Sequence, residues 1–183
     1  MRRLLFLLAL PIAALASCGS STSSSATSST APPSTAAPTT GTVAVTPAAG
    51  AANPPAITGA TNLQAEPVIG PGSTPAPTSL QTKDLVVGTG TTAVASSTVL
   101  VQYVGADYAD GKDFDSSWQS HQAASFPLAQ VVPGFAQGIV GMKTGGRREI
   151  VIPPALGYGA SGDPPAVKAD ETLVFVVDLL QVR

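Results

Sequence analysis

The chain is poor in the groups that carry covalent or metal chemistry. One cysteine and one histidine in 183 residues cannot build a four-ligand zinc cluster or an internal disulfide framework. Charge is sparse as well: nine basic and eleven acidic side chains give a formal net charge of −2. That balance excludes the basic footprint with which nucleic-acid-binding domains grip phosphate, so no nucleic acid is expected as a partner. The apolar run from Leu4 to Leu15 falls short of the roughly 20 residues that a membrane-spanning helix needs. What charge and aromaticity there is sits late in the chain. Only Arg2, Arg3 and Glu66 among the charged residues precede residue 81, and every aromatic after Phe6 lies between Tyr103 and Phe175. The chemically equipped part is therefore the last hundred or so residues.

The start of the chain reads as an address. Arg2 and Arg3 precede the short apolar run, the pattern of a secretory signal over residues 1–17. Leu15-Ala16-Ser17-Cys18 then resembles a bacterial lipobox, with the only cysteine of the chain at the position that would receive lipid. The expectation is an exported protein of the cell envelope. It would be held on the extracytoplasmic face of a membrane by acyl chains on Cys18, since one chain alone anchors only marginally. Residues 18–79 read as a disordered tether. From Gly19 to Ser79, 51 of 61 residues are Ser, Thr, Ala, Pro or Gly, too little apolar bulk to offset the entropy of ordering. Within it, Leu63 to Ile69 is less simple, and could dock loosely on the domain.

From residue 80 onward the pattern changes. Thr98 to Tyr103, Arg147 to Ile152 and Thr172 to Val182 are rich in β-branched residues and read as strands. In the last of these, Leu173, Phe175, Val177 and Leu179 share one face by the period of two. Asp84 to Val87 and Phe126 to Leu128 are shorter strand candidates. One helix is predicted, starting near Pro133, with Phe135, Ile139 and Met142 at helical spacing and Gly145-Gly146 as its stop. Many strands and one short helix predict an α+β fold, an antiparallel sheet packed on that helix. No sustained heptad or repeat is present, so a monomer is expected.

Several weaker signals carry no function. Gly88-Thr-Gly-Thr-Thr-Ala93 has the letters of a dinucleotide fingerprint, but a Ser/Thr/Val-rich stretch follows it where a helix must start. Asp107, Asp110, Asp113 and Asp115 lack the spacing and the closing Glu of a calcium loop. His121 has no nucleophile motif to serve and reads as a surface-loop residue. Arg147-Arg148 is too short a charge run to imply a polyanion.

Five blocks remain, in order: Gln102-Tyr103-Val104-Gly105; Asp110-Gly-Lys-Asp-Phe-Asp-Ser-Ser117; Val131-Val132-Pro133-Gly134-Phe135; Ile152-Pro153-Pro154 with Gly157-Tyr158-Gly159; and Leu173-Val174-Phe175. Together they make residues 80–183 resemble an FKBP-type peptidyl-prolyl cis/trans isomerase. The resemblance implies a twisted antiparallel half-barrel wrapped round one short helix, with a shallow pocket between them. It assigns catalytic positions to Tyr103, Phe114, Asp115, Phe135, Tyr158 and Phe175, and substrate contacts to Val131, Val132, Gly157 and Val167. Val132 would offer a backbone N–H, and Tyr158 a phenolic O–H, to the substrate. Asp115 would form a polar wall and Phe135 the floor, a phenyl ring where the family most often has Trp. Ala124 stands where the family commonly projects a ring, and Asp163, Ala166 and Val167 replace bulkier loop residues. Implied partners are proline-containing peptides, unfolded exported proteins and, more weakly, macrolide inhibitors. No metal or cofactor is implied, because rotation about a bond breaks none. A proline-peptide binding module or folding chaperone using the same pocket is the alternative the residues leave open.

Overall fold

The computed structural model describes residues 54–183; the signal segment 1–17, Cys18 and the tether up to residue 53 lie outside the described residues. The elements in chain order are β1 (Ile57–Thr58), β2 (Val68–Ile69), β3 (Gln81–Val86), β4 (Thr98–Asp107), β5 (Asp113–Ser116), β6 (Ala124–Pro127), α1 (Pro133–Ile139), β7 (Arg147–Ile152) and β8 (Leu173–Val182). Four short 3-10 turns join them. Among the described residues no helix is long and apolar enough to cross a membrane.

The main sheet is antiparallel, with strand order β3-β7-β8-β4-β5. Strand β4 is long enough to pair along its whole length with β8 while holding β6 on its first half and β5 on its second. The period of two predicted for β8 holds: Leu173, Phe175, Val177 and Leu179 are all fully buried in one cluster with Val99, Val101, Ile150 and Ile152. Helix α1 lays Phe135 and Ile139 into the same cluster. This is the α+β arrangement that the alternating strands and the single helical stretch predict.

Three features were not foreseen from the sequence. Helix α1 ends at Ile139, before the Gly145-Gly146 stop, because Gly141 turns to φ +85° and gives its N–H to the Ala93 carbonyl at 2.9 Å. The two consecutive arginines each hold the fold. Arg148 pairs with Asp84 at 2.6 Å and donates to the carbonyls of Gly138 and Val140, satisfying the end of α1. Arg147 is fully buried on the opposite face, paired with Asp178 at 2.5 and 2.6 Å.

The third difference corrects the tether. From residue 54 to 79 the chain is an ordered strap across the outer face of the sheet, not disordered spacer. Strands β1 and β2 pair antiparallel, and Pro55, Pro67, Ile69 and Pro77 are buried. Ile69 joins Val104, Ala106, Tyr108, Val151, Val174 and Val176 in a second apolar cluster. Proline stops helices and ladders, but it is apolar and already stiff, so packing an extended proline-rich strap costs little further entropy. The folded unit therefore starts well before residue 80.

Candidate active site

Five rings from four strands and the helix converge on the inner face. Phe135 of α1 meets Phe175 of β8 edge-on at 5.2 Å between centroids. Tyr103 of β4 lies 6.5 Å from Phe135 and 6.4 Å from Phe175. Phe114 of β5 stands edge-on to Phe175 at 5.7 Å. Phe126 of β6 closes the group, 5.7 Å from Tyr103 and 5.9 Å from Phe135. Such edge-to-face pairs are favoured by the ring quadrupoles and fix the rings against one another.

Local backbone features explain why these side chains meet. Between Gly105 and Ala106 the β4–β5 register slips by one residue, leaving Phe114 as a bulge opposite Gly105. A bulge re-aims side chains, so Phe114 reaches the Phe175 ring while Asp115, next in sequence, reaches the Tyr103 hydroxyl. Gly105 is required there, since a Cβ would fall 2.8 Å from both the Phe114 and Phe175 rings. Val132 is the N-cap of α1; its carbonyl accepts from the N–H of Phe135 at 3.0 Å and of Ala136 at 3.2 Å. Among the described residues nothing accepts the Val132 N–H. A 3-10 turn over Pro154–Leu156 ends at Gly157 and presents Tyr158.

The polar rim is two phenols and a carboxylate. The Tyr103 hydroxyl donates to Asp115. Burial first, and then the Asp115 hydrogen bond and charge, push the Tyr103 phenol far above its usual range. Tyr158 is half-buried and pushed up to about 12, by burial first and then by the charges of Asp163 and Asp115. Both phenols are therefore neutral donors throughout the physiological range. Among the described residues no group takes the Tyr158 hydroxyl, and its oxygen is not buried.

The structure thus brings together Tyr103, Phe114, Asp115, Val131, Val132, Phe135, Tyr158 and Phe175 of the expected set. Phe135 and Phe175 are fully buried at the base, while Phe114, Asp115, Phe126, Val131, Val132, Gly157 and Tyr158 are half-buried around it. Val167, expected to meet substrate, is 2% exposed, with its side chain in the core and its backbone N–H and carbonyl both bonded to Asp163. Its half-buried neighbour Ala166 lines a groove beside Phe114. Phe126 was legible only as part of a strand; its mark was a ring in the short alternating stretch Ala124-Ser125-Phe126. Ser117 and Gln102 were also missed. The Ser117 hydroxyl donates to Gln102 and accepts the Tyr103 N–H at 2.9 Å, and the Ser117 N–H donates to the Tyr103 carbonyl at 3.0 Å. His121 lies exposed at the end of a 3-10 turn.

Comparison with known proteins agrees with this geometry. The model of the FKBP-type peptidyl-prolyl cis-trans isomerase family matches residues 89–180. The chain is 44% identical over 106 residues to a probable FK506-binding protein of Corynebacterium glutamicum, covering 58% of this chain and 89% of that one. It is 44% identical over 115 residues to an FK506-binding protein of Streptomyces anulatus, covering 61% and 92%. The crystal structure of FkpA from Escherichia coli superposes with a TM-score of 0.55 at 38% identity, covering 61% of this chain and 53% of that one. The crystal structure of AtFKBP13 gives 0.54 at 31%, covering 59% and 96%.

Proposed function

Since this chain belongs to the FKBP-type peptidyl-prolyl cis-trans isomerases, we propose that it accelerates X–Pro rotation in exported proteins from a lipid anchor at Cys18. The reaction needs no bond cleavage. Resonance sets a rotation barrier of roughly 18–20 kcal/mol, and uncatalysed X–Pro exchange takes on the order of tens to hundreds of seconds. As the amide twists it loses resonance, and its carbonyl loses charge separation. Surroundings less polar than water therefore favour the twisted state over the planar one, which is the differential binding that catalysis requires.

The residues fall into roles on that basis. The five-ring cluster supplies the apolar surroundings, with Phe135 under the proline. The Val132 N–H and the Tyr158 hydroxyl hold the peptide by its carbonyls, fixing orientation. Asp115 and Tyr103 lock one another at the rim. The observation that carries this reading is the aromatic floor rimmed by two neutral phenols, one with an unengaged hydroxyl.

Support for the envelope location is the Arg2-Arg3 start and Leu-Ala-Ser-Cys18. A protease-coupled assay on an X–Pro peptide tests the site: Phe135→Ala is expected to lower kcat/KM, and unchanged activity refutes the floor assignment. Fractionation tests the anchor. Cys18→Ser is expected to leave the membrane fraction or stay unprocessed, and a lipidated, membrane-bound Cys18→Ser protein contradicts it.

A further inference from the structure

Residues 54–79 precede the part of the chain matched by the family model, yet they lie behind the strand that carries Phe114 and Asp115. That strand, β5, is an edge: it is four residues long, pairs with β4 alone and is interrupted by the bulge at Phe114. A short one-sided ladder is the kind of element that opens locally at low cost. Something must hold it if Asp115 is to stay on the Tyr103 phenol.

The strap touches the β4–β5 hairpin at both ends. Ahead of both contacts, the buried Arg147 guanidinium donates to the carbonyls of Gly59 at 2.8 Å and Ala65 at 3.2 Å while paired with Asp178. That fixes the backbone immediately before Glu66. Glu66 then reaches the edge strand, where its Oε1 accepts the Ser116 hydroxyl at 2.5 Å. The same Ser116 Oγ accepts the Trp118 N–H at 3.2 Å. At the other end, the Gly72 N–H donates to the Tyr108 carbonyl at 2.7 Å, and the Tyr108 hydroxyl donates to the Ser73 carbonyl at 3.0 Å. Strap and ring are in such close contact there that a Cβ on Gly72 would fall 2.3 Å from the Tyr108 ring. Phe114 and Asp115 lie between these two fixed points.

We propose that the strap is a positioning element for the isomerase pocket, and that Glu66 is its positioning residue, acting through Ser116 on Asp115 and Tyr103. Asp115 precedes Ser116 directly, and Ser117 clamps the Tyr103 backbone on both its N–H and its carbonyl. A shift of Ser116 therefore moves both partners of the Tyr103–Asp115 bond. The inference rests on the reading of Tyr103 and Asp115 as pocket residues.

The test uses the full chain and an X–Pro peptide, assayed well below the melting temperature. Glu66→Ala is expected to lower kcat/KM by about 3- to 10-fold, chiefly through kcat, because small misplacements of positioned groups are costly. Glu66→Gln keeps an oxygen that accepts the Ser116 hydroxyl, and is expected to stay within about twofold of the parent. Gly72→Val, which drives a side chain into the Tyr108 ring, is expected to lower kcat/KM similarly. In both impaired variants the Tyr103 ring signals shift in NMR spectra, a change that a loss of stability elsewhere would not give. Two results would overturn the proposal: normal kcat/KM in both Glu66→Ala and Gly72→Val, or equal losses in Glu66→Ala and Glu66→Gln. Asp115→Ala separates the underlying reading. Full activity there refutes the pocket assignment, whereas impaired Asp115→Ala beside normal strap variants refutes the brace alone.

Discussion

The two faces of the sheet are built from the same strands and do opposite jobs. The inner face of β7 and β8 carries Ile150, Ile152, Leu173, Phe175, Val177 and Leu179 and meets the helix and the ring cluster; its one charge, Arg148, is spent on Asp84 and on the carbonyls at the end of α1. The outer face of the same strands carries Arg147, Glu149 and Asp178, all nearly inaccessible to solvent, among Val151, Val174 and Val176. One face is apolar because the reaction is helped by exclusion of water. The other is ionic because a polar strap crosses it, and backbone carbonyls need donors. Burial alone does not reveal a face's role; what is buried there does.

The largest effect is expected from breaking the ionic face. Arg147→Ala leaves Asp178 buried without its partner and frees two strap carbonyls, so unfolding in urea is expected to show a loss of about 3–5 kcal/mol. A loss under about 1 kcal/mol would mean that the strap is not held by this pair.

A gain is expected from Glu149. Among the described residues neither of its buried carboxyl oxygens has a hydrogen-bond partner. Burial pushes it from the usual 4.5 up to about 7, although Lys83, opposite it on β3, pulls the other way. An acid that binds its proton more tightly in the fold than in the unfolded chain favours the fold at low pH. Its contribution falls as pH rises from about 4.5 to about 7 and stays low above that. Glu149→Gln is therefore expected to raise stability at pH 8 by about 2–3 kcal/mol and to change little at pH 4. Equal effects at the two pH values would contradict the shift.

The smallest effect belongs to the inner face. Tyr158→Phe removes one hydroxyl and leaves the ring, so kcat/KM is expected to fall only a few-fold to about tenfold, with the melting temperature unchanged. With both phenols neutral donors, kcat/KM of the parent is expected to be flat from about pH 6 to 9. An alkaline limb below that upper value would show that one phenol ionises more easily than its burial implies.

How much of this was legible in the sequence depends on the range of the interaction. Strand β7 was readable end to end because Arg147 to Ile152 is a β-rich run bounded by glycine and proline. The start of α1 was readable because Pro133 suits a first turn. Its end was not, since Gly141 stops it by giving its N–H to Ala93, a residue 48 positions away. Strand β5 was hidden because Asp-Phe-Asp-Ser-Ser has a turn's composition and becomes a strand only against β4. The burial of Val167 was hidden because position within a loop does not say which way a side chain points.

The local grammar of the chain, its alternation, its punctuation by glycine and proline and the ordered blocks from Gln102 to Phe175, determined the sheet, the helix and the composition of the pocket. Only the tertiary structure decided that residues 54–79 belong to the folded unit, that two adjacent arginines serve opposite faces and that Phe126 joins the ring cluster. Each of those rests on contacts between residues far apart in sequence. Such contacts leave no periodic trace, because a buried guanidinium finds its carbonyls by position in space and not by spacing along the chain.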